Sequence, residues 1–336
     1  MGTRLADLAR QAGVSEATVS RVLNDRPGVS TETRQAVLTA LDVLGYERPA
    51  RLRKKSAGLV GLIIPELDNP IFPAFAQTIE TTLAQQGYTP VLCTQSPGGV
   101  TEDEYVELLL DRNVSGVIFV SGLHADATAD HGRYATLIER RLPVVMVNGY
   151  VGGVDAPFIS CDHHLAGELA VGHLVALGHR RIGFASGPER FVPVRRTLAG
   201  YRQAMRTLAG LPDAEIDPLV ALSLFGVEGG HAAAGRLLDQ GVTAIVCGSD
   251  LMALGAIRAA RQRGRHVPRE ISVVGFDDSP LIAFTDPPLT TIRQPVHAMS
   301  VAAVHALLDE IRGHAAPHSE YVYTPELVVR GSTAPP

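Results

Sequence analysis

The first 46 residues carry apolar side chains in short helical periods. Leu5, Leu8, Ala9 and Ala12 fall on one face of a helix, with Thr3 placed as its N-cap. Gly13 stops that helix, and Ser15 caps the next, which turns Val19, Val22 and Leu23 inward. Ser30 caps a third helix, with Val37, Leu38, Leu41 and Leu44 on one face and Gly45 at its end. Two short helices, a tight glycine turn and a packed third helix predict a helix-turn-helix.

From Leu59 the period changes. "LVGLIIP" reads as a strand, followed by a helix over about residues 72–86, and "TPVLC", "GVIFVS" and "PVVMVN" are further apolar strands. Helix-length segments separate them. The scheme then repeats with "RIGFAS", "VTAIVCG" and "ISVVGF". Such alternation predicts parallel sheets covered by helices, and two sets predict two Rossmann-like lobes, an α/β body behind a helical head. Ligands of open parallel sheets bind outside the carboxyl ends of the strands. The positions to watch are therefore residues 68–72, Ser121, Asn148, 187–190, 249–250 and 277–278.

Charge separates the two regions. Through Ser56 there are ten Lys and Arg against six Asp and Glu, about +4; the remaining residues hold twenty against twenty-nine, about −9. A basic head on an acidic body fits a polyanion partner for the head alone, although a basic tail without a partner has the same charge. The apolar runs are too short to span a bilayer, and Arg4, Asp7 and Arg10 interrupt any signal-peptide core. Cys93, Cys161 and Cys247 lie far apart, with neither metal spacing nor a disulfide framework. A soluble cytoplasmic protein fits.

The stretch "GVSEATVSRVLND" (13–25) is too polar for a core helix and too regular for a solvated one. Opposite its valines stand Glu16, Ala17, Ser20, Arg21 and Asn24, short or forked side chains that leave the backbone free to enter a major groove. Arg21 suits guanine or a phosphate; Thr18 and Ser20 suit phosphates or base edges. A helical interaction module is the bland alternative.

The run "LADLARQAGVSEATVSRVLNDRPGVSTETRQAVLTALDVLGY" resembles the DNA-binding head of the lactose-repressor (LacI/GalR) family of bacterial transcription regulators, nearly without a break over residues 3–46. The resemblance implies base-reading positions at Glu16, Ala17 and Arg21, and phosphate neighbours at Ser15, Thr18, Ser20 and Asn24, with Thr3 also at the DNA. Glu16 suits a cytosine amino group and repels phosphate, which sharpens operator choice. In "ERPARLRKKSAG" the family forms a hinge helix on DNA and inserts a leucine into the minor groove. Leu52 is the candidate wedge; Arg51, Arg53, Lys54 and Lys55 are phosphate partners. The segment is about three residues shorter than the family's usual hinge.

The landmarks "DNPIF", "GHRRIGFASGPE", "LAGYRQAM", "CGSDLMALGAIRAA", "VVGFDDSPLIAFTDPPLTTIRQP" and "ELVVRGST" extend the resemblance over the body, whose family core is of periplasmic-binding-protein type. It implies three crossings between lobes, near Ser160, Ile292 and Thr324, and an effector cleft lined by Phe72, Asn148, Arg190, Phe225 and Asp277. Thr197 stands where many members carry a cleft arginine.

The expected organisation is a head over 1–46, a hinge over 47–57 and a body over 58–336. Lobe one takes about 58–160 and 293–323, lobe two 161–292 and 324–336. The expected function is that of a homodimeric repressor that binds double-stranded operator DNA under control of a small molecule, a sugar by cleft class. A nucleobase between Phe72 and Phe225, or a solute receptor without a regulatory role, are the alternatives. No GxSxG elbow, P-loop or HExxH appears, and no cofactor is expected. "CDHH" (161–164) has no second cluster at metal spacing. Without heptads after "VVRGSTAPP", no tetramerising coiled coil is expected.

Overall fold

The computed structural model describes residues 2–24, 26–46, 56–95, 98–314 and 317–336. The chain forms two compact units, Met1–Ala57 and Gly58–Pro336.

The first unit holds α1 (Gly2–Ala12), α2 (Glu16–Leu23) and α3 (Thr31–Val43). Its core is Leu8, Ala9, Val19, Val22, Val37, Ala40 and Leu41, a contribution from each helix. The expected cap at Thr3 is corrected: α1 already begins at Gly2, so Thr3 lies within its first turn. Gly13 (φ +66°) closes α1, with Val14 N–H donating to the Ala9 carbonyl. Gly45 (φ +68°) closes α3 in the same way, with Tyr46 N–H donating to the Leu41 carbonyl at 2.8 Å. Leu44, expected on the inner face, is the C-cap and is about one-third exposed, because the chain leaves the helix before its side chain reaches the core.

The second unit is two sheets. Along the chain come β1 (Leu59–Ile64), α4 (Ile71–Gln85), β2 (Thr89–Thr94), α5 (Glu102–Asp111), β3 (Gly116–Val120), α6 (Gly132–Glu139), β4 (Val144–Val147) and β5 (Phe158–Cys161). Then follow α7 (His163–Ala176), β6 (Ile182–Ser186), α8 (Val192–Thr207), α9 (Asp213–Ile216), β7 (Val220–Leu222), α10 (Val227–Asp239), β8 (Ala244–Cys247), α11 (Asp250–Gln262), β9 (Ser272–Asp277) and β10 (Thr290–Arg293). The unit closes with α12 (Val296–Ile311), β11 (Glu320–Tyr323) and β12 (Glu326–Val328).

Among the described residues the strand orders are β11-β5-β4-β3-β1-β2 and β12-β10-β9-β8-β6-β7. The orders are the same in kind: one lobe repeats the other, and the last two strands are shared out one to each. All pairings are parallel except β10 with β12. The inner strands β3, β4, β8 and β9 are buried along their whole length, as parallel strands covered on both faces must be. The chain passes between the sheets after β5, after β10 and between β11 and β12, so the crossings lie side by side. Helices α7 and α8 pack backbone to backbone: a Cβ on Gly200 would sit 1.9 Å from the His164 carbonyl oxygen, and one on Gly167 2.3 Å from that of Thr197.

Candidate functional site

Each unit carries one candidate site. In the head, Ser15 caps α2 by accepting from Thr18 N–H at 3.2 Å, and its hydroxyl meets that of Thr18 at 2.9 Å. At the other end, Asn24 Nδ2 donates to the Ser20 carbonyl at 2.7 Å and to its hydroxyl at 3.3 Å. These local bonds fix the ends of α2. Val19 and Val22 are fully buried, which turns the opposite face out: Ser15, Glu16, Ala17 and Arg21 are exposed, while Thr18, Ser20 and Asn24 are half-buried at its margins. The arrangement presents one forked cation and one carboxylate on a narrow polar ridge, the form of side-chain set that enters a major groove. Leu52 and Arg53 lie outside the described residues, as does the side chain of Thr3.

In the body, a cavity of about 220 Å³ opens where strand ends from both sheets meet. Phe72, Asn148, Phe225 and Asp277 line it. Asn148 (φ +59°) and Asp277 (φ +116°) turn sharply at the ends of β4 and β9, left-handed conformations that cost L side chains energy and occur where a site must be shaped. A chain of hydrogen bonds links the strand ends. Cys161 N–H donates to Asn148 Oδ1 (3.3 Å), Asn148 Nδ2 to Gln294 Oε1 (3.2 Å), and Gln294 Nε2 to Asp277 Oδ1 (2.7 Å). The one-way donor at Cys161 sets both amide orientations. Asn69 Nδ2 reaches Asp277 Oδ2 at 3.4 Å. Burial, and then the nearby Asp250 carboxylate, push the Asp277 carboxyl well above the usual range. Asp250 itself is raised to about 6, mainly by burial, while it takes Ser279 N–H (2.7 Å) and the Thr291 hydroxyl (2.6 Å).

Aromatic rings form the walls. Phe225 lies over Gly187, where a Cβ would come within 2.2 Å of the ring, and its centroid is 5.7 Å from that of Phe191. Glu66 and Asp277 are the carboxylates of the lining, and no Lys or Arg is among the described lining residues.

Arg190 is placed differently from the expectation. It is not part of the lining; its Nε donates to Asp126 Oδ2 at 2.7 Å, and its carbonyl accepts from Ala127 N–H at 2.8 Å. Asp126 and Phe191 also form an isolated antiparallel bridge. A loop of the first sheet is thus strapped to a loop of the second, and a carboxylate distant in sequence has captured the cation. Thr197 does line the cavity, but its hydroxyl is turned back to the Pro193 carbonyl (2.9 Å). Of the neighbouring arginines, Arg196 forms a two-pronged pair with Glu320 (2.6 and 2.9 Å), and Arg195 donates to the Glu189 carbonyl.

Sequence reasoning missed Gln294, Phe191 and His163 as cavity residues, whereas Asn69 falls in the strand-end stretch 68–72 that it had marked. Gln294 follows β10, so the strand-end rule points to it once that strand is recognised. His163 and His164 diverge: His163 is buried beside Phe276, whereas His164 is turned towards Glu168 at 3.9 Å. No cluster of three metal-ligating side chains occurs among the described residues.

Residues 4–49 match the domain described as "Bacterial regulatory proteins, lacI family", and residues 171–333 match a "Periplasmic binding protein-like domain". The HTH-type transcriptional regulator MalR of Streptomyces coelicolor is 64% identical, over 99% of this chain and 97% of its own. A solved complex of the transcriptional regulator CelR with cellobiose superposes with a TM-score of 0.73 at 31% identity, covering 98% of this chain and 99% of that one. The lac repressor dimer bound to operator and an anti-inducer gives 0.71 at 30% identity, covering 98% of each chain.

Proposed function

As a DNA-binding transcription regulator that belongs to the lacI family of bacterial regulatory proteins, this chain, we propose, is a cytoplasmic homodimeric repressor whose hold on its operator is set by an uncharged sugar bound between the two sheets of the body. The observation that carries the sugar reading is the lining of the cavity. It offers a buried carboxylate and aromatic faces, and its described residues include no cation. Carboxylate oxygens take hydroxyl protons and aromatic rings pack on sugar C–H faces, while a phosphate or carboxylate ligand would enter against Glu66 and Asp277 with no positive partner. The solved complexes of CelR with cellobiose, and of an Enterococcus faecium LacI-family regulator with ribose, support the same class.

The dimer reading rests on Leu281 and Phe284, which are 74% and 85% exposed beside the 3₁₀ turn Ile282–Phe284. Large apolar side chains left so open fit a self-complementary contact, and a two-fold dimer presents two heads to a roughly palindromic operator. Base reading falls to Glu16, Ala17 and Arg21 on α2, with Ser15, Thr18, Ser20 and Asn24 beside phosphates and Thr3, Leu52 and Arg53 as further contacts. In the cavity, Phe72, Phe225 and Asp277 touch the sugar, Asn148 positions Asp277 through Gln294, and Arg190 holds the strap rather than the ligand.

Thermal unfolding against cellobiose, maltose, ribose, glucose 6-phosphate and adenosine tests this. A ligand that binds only the folded body raises its midpoint. A neutral sugar should do so and glucose 6-phosphate should not. A rise with the phosphate or the nucleoside alone would refute the sugar reading.

A further inference from the structure

We propose that His163 is a sugar-contacting residue, whose Nε2 accepts a hydroxyl proton inside the cavity. The inference rests on the sugar reading above and adds a second acceptor to Asp277.

The ring is held at one edge and on one face. Nδ1 lies 2.8 Å from the Cys161 carbonyl oxygen, which can only accept, so Nδ1 carries the hydrogen. Phe276 stacks on the ring at 5.6 Å between centroids with 29° between planes. His163 is 4% exposed and lines the cavity, yet Nε2 has no partner among the described residues and is not sealed in protein. Its remaining surface therefore faces the space a ligand fills. Burial is the main cause that holds the imidazole down to about pKa 4, so at neutral pH Nε2 keeps its lone pair. A buried acceptor left dry and unpaired is costly, which a ligand hydroxyl relieves. Acceptors at His163 and Asp277 together select a ligand with hydroxyl donors at two places, the property of a polyol rather than of an anion.

The test separates the two nitrogens. In His163→Asn the amide sits where Nδ1 was, keeps a donor to Cys161 and removes the acceptor. In His163→Gln the amide reaches the Nε2 position and loses the bond to Cys161. Each full-length protein is titrated calorimetrically with cellobiose, maltose and ribose, and its melting point is taken without sugar. His163→Asn should keep its melting point and bind the accepted sugar about tenfold more weakly; His163→Gln should melt lower yet bind within about threefold of wild type. Affinity that follows melting point across the two variants overturns the inference and leaves the sugar reading standing. Wild-type protein that takes none of the three sugars overturns both.

Discussion

The head and the cleft solve recognition in opposite ways. The residues proposed to read bases, Glu16, Ala17 and Arg21, come from one eight-residue helix, are exposed, and are held by a core of seven buried residues among those described. The cavity draws its lining from segments spread between Pro65 and Gln294, and its polar groups are buried and wired to one another. An exposed ridge can change a base contact at little cost to folding. In the cleft, a substitution within the Asn148–Gln294–Asp277 chain also disturbs a neighbour that depends on it. Specificity in the head should therefore separate cleanly from stability, and specificity within that hydrogen-bonded chain of the cleft should not.

The largest effect is expected at Arg21. Arg21→Ala should weaken operator binding by about 1–3 kcal/mol per head, about 2–6 over a dimer, if the guanidinium makes a two-pronged base contact. Its melting curve and sugar affinity should match wild type. A lowered melting point would make Arg21 part of the head's fold and blur the contrast.

Acid should also separate the regions, because the head contains no histidine and the body buries several. His124 is fully buried, donates from Nε2 to the Val147 carbonyl (3.1 Å), and is pushed down to about pKa 4, mainly by burial. The unfolded chain takes up this proton near 6.5 and the folded one only near 4. The contribution is thus complete above about pH 6.5 and is lost as pH falls towards 4, by about 3 kcal/mol. His124→Phe should flatten the fall in body stability over that window. An unchanged slope would assign the acid sensitivity to other groups.

Asp277→Asn comes next. It keeps the shape and one acceptor oxygen but turns the other into a donor, so a partner among Gln294, Asn69 and the sugar loses its acceptor, at a cost of about 1–3 kcal/mol for a buried group left unpaired. Sugar affinity should fall about tenfold, with operator affinity in the absence of sugar unchanged. Calorimetry and gel shift together read both. Loss of operator binding would show that Asp277 holds the fold instead.

The smallest effect is expected at the strap. Arg190 is half exposed, so its pair with Asp126 is worth only about 0.2–1 kcal/mol. Arg190→Ala should weaken sugar binding by a few-fold at most. A loss matching that of Asp277→Asn would return Arg190 to the ligand's contacts.

The same contrast decides what could be read from residues alone. The head is contiguous: glycine stops, serine caps and valine spacing all fall within 45 residues, and the helices differ from expectation at their ends, at Thr3 and Leu44. The two-lobe architecture was legible because strand–helix alternation occurs twice. Strand ends pointed to Asn148 and Asp277, but the rule names positions and not partners. Nothing near Arg190 in sequence announces Asp126, and a glutamine after "TTIR" reads as a loop until β10 is seen beside β9. His163 was visible only as half of a doubtful metal pair; its burial against Phe276 is a tertiary fact.

The central claim is that one chain couples these two unlike sites, and coupling is reciprocal. The direct measurement is fluorescence anisotropy of full-length protein on labelled operator at fixed salt, with and without a saturating concentration of the sugar that raises the body's melting point. A shift in operator Kd of at least about tenfold is expected, with an equal and reciprocal shift in sugar Kd when operator is present. A sugar that stabilises the body yet leaves the operator Kd unchanged would contradict the coupling.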